Sequence, residues 1–462
     1  MMTKKEEILR GSIFKTLVKL SAPIIIGMLM HTTFNIVDTY FISQLGTDSL
    51  AAISFTFPIF MFIIAIGNGI AVGGSSLISR LLGAGQEEKA INTIIHIILL
   101  TLLISLLFSI VGRIFAHQIF SFIGATGSIK ALSLEYMQII FSGSIFIFIF
   151  IAFDGILRGQ GNMTTAMFNL SIATVINIVL DPLLIFGWGV FPALEMQGAA
   201  LATIIAQAIA SSCILIYFLK SNNVLPIKIS SFKLNLNIIT EIIKIGFPAF
   251  ISQAIFSVAL GFFNKLASIF GPAVVAAFGL GFRLDSIAVL PGIGLAAAMI
   301  TMIGYNYGAQ QLGRVKEITI LGLKLIFTVM SLIGLVFFII PEFFIKFFDS
   351  NPEVIKYGVQ YFRYVSLSYG FLGLGFVSIA ALQGIGYGAP AFFNNLIRFG
   401  IIGLPLSWLL VTLFNTSPVG IWVGMVASNL AYGIISTIWF FAKIRYEKSL
   451  KVTQQYSAGD SY

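Results

Sequence analysis

The sequence predicts an all-α polytopic membrane protein, with twelve transmembrane helices in two parallel six-helix repeats related by a pseudo-twofold axis along the membrane normal. Three observations predict it. The chain is 58% hydrophobic and only 10% charged, whereas soluble domains carry about 25% charged residues. Its apolar residues fall into twelve long runs, each matching the roughly 20 residues that a spanning helix needs. The halves of the chain also align with each other at a nearly constant offset of 225 residues.

The runs justify the elements in order. They cover about 15–43, 50–80, 91–112, 131–157, 165–187 and 196–219, then 240–267, 275–303, 317–340, 357–382, 389–414 and 418–443. All are too long and too continuously apolar for barrel strands, which alternate over about ten residues. The first follows the basic segment MMTKKEEILR, and no small-x-small cleavage site comes after it. It therefore reads as an uncleaved span. The second carries GNGIAVGG, Gly67–Gly74, small residues that let helices approach closely. The eighth is the apolar run 275–303. The predicted organisation is an N-terminal lobe at 1–219, a cytoplasmic linker at 220–239 containing SNNVLPIKISSFKLNLN, a C-terminal lobe at 240–445 and a cytoplasmic tail at 446–462.

The repeat rests on many weak matches that share one offset. KLSAP at Lys19–Pro23 matches KIGFP at Lys244–Pro248, and Gly46 matches Gly271. Tyr136 matches Tyr361, and RGQG at Arg158–Gly161 matches QGIG at Gln383–Gly386. Six is even, so both halves enter the membrane from the same side and the repeats are parallel. Two parallel bundles suit alternating-access transport.

The net charge of +9 reflects topology and does not indicate nucleic-acid binding. With both termini cytoplasmic, the inside segments hold 19 of the 27 Lys and Arg, including Lys4, Arg10, Arg80, Lys89, Arg158, Lys228, Arg314 and Lys443. That asymmetry follows the positive-inside rule and places a multi-pass protein in the cell membrane. The basic segments would also meet anionic lipid headgroups. The single cysteine, Cys213, excludes an internal disulfide and a cysteine metal cluster.

Three carboxylates stand inside apolar runs of the first half: Asp38, Asp154 and Asp181. Their repeat mates are Phe263, Ile379 and Leu406, so the fold itself does not demand the acids. A charged Asp at the centre of a span costs roughly 2.5–3.5 kcal/mol on the insertion scale. Three uncompensated ones are untenable. They must face a polar pocket, share protons or bind a cation. Asn177 and Asp181, in NIVLDP, share one helix face, and Pro182 interrupts the local backbone ladder. Asn35, Tyr136 and Thr203 add amide and hydroxyl oxygens. This hard-oxygen set suits Na⁺ or H⁺ and is poor for zinc. Asp38, Asn177, Asp181 and Thr203 form the candidate Na⁺ ligand set. Pro23 lies fifteen residues before Asp38 on nearly the same face and permits a bend there. In the second half, Arg283 and Asp285 in GFRLDS are placed either to neutralise each other or to line a cavity, and Arg398 sits within span 11. There is no phosphate loop, no HExxH and no His/Cys cluster.

With P-x14-D on span 1, LRGQG ending span 4, N-x3-DP on span 5 and GAALAT on span 6, the chain resembles multidrug and toxic compound extrusion (MATE) transporters. The likeness is to the prokaryotic branch with an acidic N-lobe site, and it covers about residues 10–445. The resemblance implies a monomeric secondary transporter without a cofactor: H⁺ or Na⁺ enters and small organic, often cationic and aromatic, compounds leave. By position it assigns coupling to Asp38, Asn177 and Asp181, hydroxyls to Tyr136 and Thr203, and bending to Pro23. One departure stands out, because the resemblance implies an amide where this chain has Asp154. Two other readings fit the residues less well. A lipid-linked saccharide flippase of the same superfamily would carry more spans and a more cationic cavity. An intramembrane aspartyl protease would need GxGD, which IVDTY, AFDGI and VLDPL lack.

Overall fold

The computed structural model describes residues 3–189, 191–221, 224–227, 232–414 and 416–459, with side chains as far as residue 449. Lys228 of the basic linker and the last three residues of the expected tail lie outside these. Among the described residues every regular element is helical. In chain order the helices are α1 (Lys4–Arg10), α2 (Ile13–Ser43), α3 (Thr47–Gly83), α4 (Glu87–Phe122), α5 (Gly127–Gly159), α6 (Met163–Ile185), α7 (Glu195–Lys220) and α8 (Leu236–Ser268). They continue with α9 (Pro272–Ala288), α10 (Leu290–Gly308), α11 (Leu312–Ile339), α12 (Pro341–Lys346), α13 (Pro352–Val365), α14 (Tyr369–Gly384), α15 (Ala389–Asn395), α16 (Leu404–Thr412) and α17 (Val419–Gly459).

Among the described residues eleven helical stretches are long and apolar enough to cross a membrane, and the pair α9–α10, taken as one span, makes twelve. That pair fills the apolar run at 275–303, and its axis bends by 42° between Ala288 and Leu290. Pro291 explains the break: its ring excludes the preceding turn's carbonyl and it has no N–H to donate. Span 10 is α13 and α14 joined by a 3-10 turn at Ser366–Ser368, and span 11 is α15 and α16 joined by a π-helical segment, Leu396–Gly403. The last helix runs on from span 12 into the expected tail as far as Gly459.

The chain forms two compact units, Pro23–Phe250 and Met1–Ala22 with Ile251–Tyr462. Their limits differ from the limits of the repeat: α2 and α8 each leave one unit and enter the other close to a proline, Pro23 or Pro248.

In the Pro23–Phe250 unit, small residues set the helix spacing. A Cβ on Gly155 would lie 2.6 Å from the Cα of Ala71, and one on Gly159 would lie 3.0 Å from the Cα of Ser75. These paired small-xxx-small steps bring α5 and α3 backbone to backbone. Gly69 does the same against Gly246 of α8, whose carbonyl oxygen a Cβ would meet at 2.7 Å. The apolar core beside this contact includes Ile63, Met137, Phe141, Phe148, Ile185 and Met196. The basic linker is strapped to α4. Asn92 donates to the Lys233 carbonyl (2.9 Å) and accepts from its N–H (3.1 Å), and the Asn235 N–H donates to His96 Nε2 (3.0 Å).

In the other unit, Phe278 stacks on Trp422 (centroids 6.0 Å apart) and Tyr361 packs edge-on to the same indole (5.0 Å). The short α1 is capped by a reciprocal box. The Thr3 N–H donates to Glu6 Oε2 (2.8 Å) and the Glu6 N–H to Thr3 Oγ1 (3.2 Å). The Thr3 backbone bond holds the Glu6 carboxyl below the ordinary carboxylate range. Asn306 Nδ2 donates to the Ile8 carbonyl (3.3 Å), and Arg314 donates to that of Gly11.

Candidate functional site

Four helices of the Pro23–Phe250 unit bring five polar side chains together: Asp38 from α2, Tyr136 from α5, Asn177 and Asp181 from α6, and Thr203 from α7. Asp181 is fully buried, and Asn177, Tyr136 and Thr203 are nearly so. Asp38 is half-buried. The carboxyls of Asp38 and Asp181 face each other, and the Tyr136 ring lies beside both and beside Thr203. Asn177 Nδ2 reaches Thr203 Oγ1 at 3.5 Å, the limit for a hydrogen bond, and that hydroxyl donates to the Ala199 carbonyl at 3.2 Å.

The backbone explains part of this arrangement. Asn177 and Asp181 are one turn apart, so α6 offers an amide and an acid on one face. Pro182 withholds an N–H from the Ile178 carbonyl and loosens α6 beside the acid. Facing it, α2 runs unbroken through Pro23 to Ser43.

Several acceptors of the cluster lack a donor. Both carboxylate oxygens of Asp181 and the amide oxygen of Asn177 are buried with no hydrogen-bond partner. Among the described residues, no lysine or arginine acts on either acid. Buried acceptors are normally satisfied, and an unpaired one costs about 1–3 kcal/mol, more when charged. The cluster is therefore rich in unsatisfied acceptors. Asn177 and Thr203 also line a cavity of about 40 Å³ with His31, Phe34, Thr174 and Gln207. That volume holds a few water-sized guests and is far below the several hundred Å³ of a drug site. His31 and Gln207 escaped notice in the sequence. Their spacing was the signal, since His31 is seven residues before Asp38 and Gln207 four after Thr203, each on the same helix face.

Two other candidates lie elsewhere. Asn35 is on the exposed side of α2, 3.4 Å from His31 Nδ1. Asp154 is ion-paired with Arg158 one turn along α5, with Nε and Oδ2 2.8 Å apart. It is the counter-ion of a basic helix end, and the structure does not bring it to the Asp38–Asp181 pair.

The other unit also holds an acid inside a span, Asp285, part-buried on α9. Asp285 does not neutralise Arg283, which points outward. Residues two apart on a helix do not face each other. Asp285 instead accepts from the hydroxyls of Tyr361 (2.5 Å) and Tyr369. Tyr361 is the repeat mate of Tyr136, so each unit sets this tyrosine against an acid, but on different helices. Here the donors are supplied, and Asp285 is satisfied.

Comparison with known proteins agrees with this architecture. The MatE family model matches the chain twice, over residues 23–183 and 248–409. The matches begin 225 residues apart, which is the offset of the repeat. The FAD transporter of Shewanella oneidensis is 31% identical over 438 residues, 94% of this chain and 95% of the relative. Multidrug export protein MepA of Staphylococcus aureus is 29% identical over 429 residues, 91% and 92% of the two chains. A solved structure described as the outward-facing conformation of a multidrug resistance MATE family transporter of the MOP superfamily has a TM-score of 0.91. Its sequence is 28% identical, and the match covers 97% of this chain and 100% of that one. Matched by the family model over well more than half its length, this chain belongs to the MatE family and is a multi-pass membrane transporter, not an enzyme.

Proposed function

We propose that the protein is a cation-coupled antiporter that exports small organic compounds by alternating access, with both termini cytoplasmic. The observation that carries this reading is the pair of facing carboxyls, Asp38 and Asp181, beside the unpaired amide oxygen of Asn177. Two facing carboxyls in a buried site do not both ionise cheaply, so the pair either holds a proton or takes up Na⁺. Hydroxyl and amide oxygens from Tyr136, Asn177 and Thr203 complete an oxygen shell suited to either ion. The names of the relatives support export of small organic molecules, since one is a multidrug export protein and one an FAD transporter.

Coupling needs the ion and the exported compound to favour different states. In this reading the ion enters from outside, neutralises Asp38 and Asp181, and removes the reason for the outer part of α2 to stay hydrated. Pro23 lets the helix bend, and the exported compound loses its site. The test uses purified protein in proteoliposomes, with a pH gradient or a Na⁺ gradient imposed separately and efflux of a fluorescent cation such as ethidium followed. Asp38→Asn and Asp181→Asn are expected to fold normally and to reduce gradient-driven efflux to the protein-free baseline. Undiminished gradient-driven efflux by Asp38→Asn would sink the proposal.

A further inference from the structure

We propose that Arg398 is the anion-recognition point of a substrate site, so that the compounds bound include flat aromatic molecules bearing a phosphate or carboxylate. Arg398 sits in span 11 on the π-helical segment Leu396–Gly403. Departures of this kind from α-helix recur at functional sites. Its Nη2 and Nε both donate to Asn429 Oδ1, at 2.7 and 3.2 Å, and Asn429 Nδ2 donates in turn to Ser368 Oγ at 2.8 Å. Asn429 is a neutral acceptor. It orients the guanidinium and adds no opposing charge of its own. Among the described residues no carboxylate lies within ion-pair distance of Arg398; Asp285, the nearby acid, is turned to Tyr361 and Tyr369. Nη1 makes no hydrogen bond among the described residues, and the side chain is part-buried.

A cation inside a span without a bonded counter-ion marks a pathway more often than a scaffold. The surroundings say what it would take. The guanidinium carbon lies 4.4 Å from the Phe399 ring centroid and 4.9 Å from that of Tyr432. Phe256 continues the aromatic wall, 5.7 Å from Phe399, as does Phe376, 6.2 Å from Tyr432. Gly375 carries no side chain where a Cβ would strike the Tyr432 ring. A fixed fork of N–H donors reads an oxyanion, and a wall of rings reads a flat ring system.

This inference deepens the transport reading by naming a substrate class, and it rests on that reading only in taking the ligand to be a transported compound. Its test is equilibrium binding without any gradient, so failure of ion coupling would leave the result unchanged. Riboflavin and riboflavin 5′-phosphate differ by one phosphate, and both are fluorescent. With full-length protein in phosphatidylcholine nanodiscs, the phosphate form is expected to bind at least about tenfold more tightly, as a charge-assisted bond implies. Arg398→Gln should abolish the ratio, and Arg398→Lys should keep part of it. Asn429→Asp keeps the side-chain shape but hands Arg398 a carboxylate, and should also abolish it. A thermal unfolding midpoint close to wild type shows that a variant has folded. Equal binding of the two flavins by wild type, or a preference that survives Arg398→Gln and Asn429→Asp, overturns the proposal. Loss of the preference when phosphatidylglycerol is added to the discs also overturns it, because the anion would then be a lipid headgroup.

Discussion

Asp154 and Asp181 are both aspartates in apolar runs, yet their neighbours give them different work. Asp154 has Arg158 one turn away, and its charge is matched locally. Asp154→Asn is expected to cost roughly 1 kcal/mol in stability, the scale of a partly buried i,i+4 pair, while gradient-driven efflux keeps its ion dependence. Loss of coupling in that variant would return Asp154 to the ion site. Asn177 is the complementary case. Its amide oxygen has no partner, so Asn177→Ala removes a ligand without stranding another polar group. Ion affinity, read from the gradient needed for half-maximal efflux, should fall about tenfold, the worth of one bond to a charged group. The sequence showed Asp38 and Asp181 readily because a carboxylate in a lipid-spanning run has few reasons to be there. It also contained the i,i+4 spacing that joins Asp154 to Arg158, a signal that went unread. It could not show where Asp285 turns, because Tyr361 and Tyr369 are more than seventy residues away and the adjacent Arg283 was a plausible but wrongly facing partner.

At the level of the helix, packing is governed by what glycine omits. Any side chain at Gly155 must push α5 off the Ala71 backbone of α3. Gly155→Val should therefore cost about 1–3 kcal/mol, as overpacking does, and lower the thermal midpoint in detergent. Turns between helices follow the repeat too. Gly46 and its mate Gly271 both enter a helix at positive φ, 111° and 100°. The mate of Gly85 (φ 73°), however, is Gln310, held at φ 63°. A side chain there is strained by on the order of 1 kcal/mol, so Gln310→Gly should raise the thermal midpoint, though the freer unfolded chain offsets part of the gain. The cap of α1 responds to acid. A carboxyl held below its ordinary range stabilises above the unfolded value, and that support fades as pH falls through the folded one. The protection of amides 4–10 against hydrogen exchange, taken relative to the intrinsic rate at each pH, should accordingly fall in acid and change little in alkali. The twelve spans were legible from run length alone. The bend at α9–α10 was written in VLPG, but continuous hydrophobicity across the proline concealed it.

For the molecule as a whole, the repeat offset was readable because it is a property of the entire chain, and the family model's two matches start that same distance apart. The membership of the compact units was not readable. Similarity between the halves says which residues correspond and leaves open which ones pack together. The N-terminal segment illustrates this, since Ile8 is buried and Asn306 and Arg314 hold its carbonyls. Deleting residues 2–11 should destabilise the protein by about 1–3 kcal/mol for each polar group left without its bond, measured as a lower unfolding midpoint. An unchanged midpoint would mean that the segment merely rests on the fold.

The unit boundaries also bear on what a severed chain could do. Residues 3–22 belong with the second half of the chain, and residues 236–250 with the first. Neither half alone therefore carries every residue of one compact unit. Cutting the gene in the linker should thus yield halves that are unstable expressed singly and recover when co-expressed.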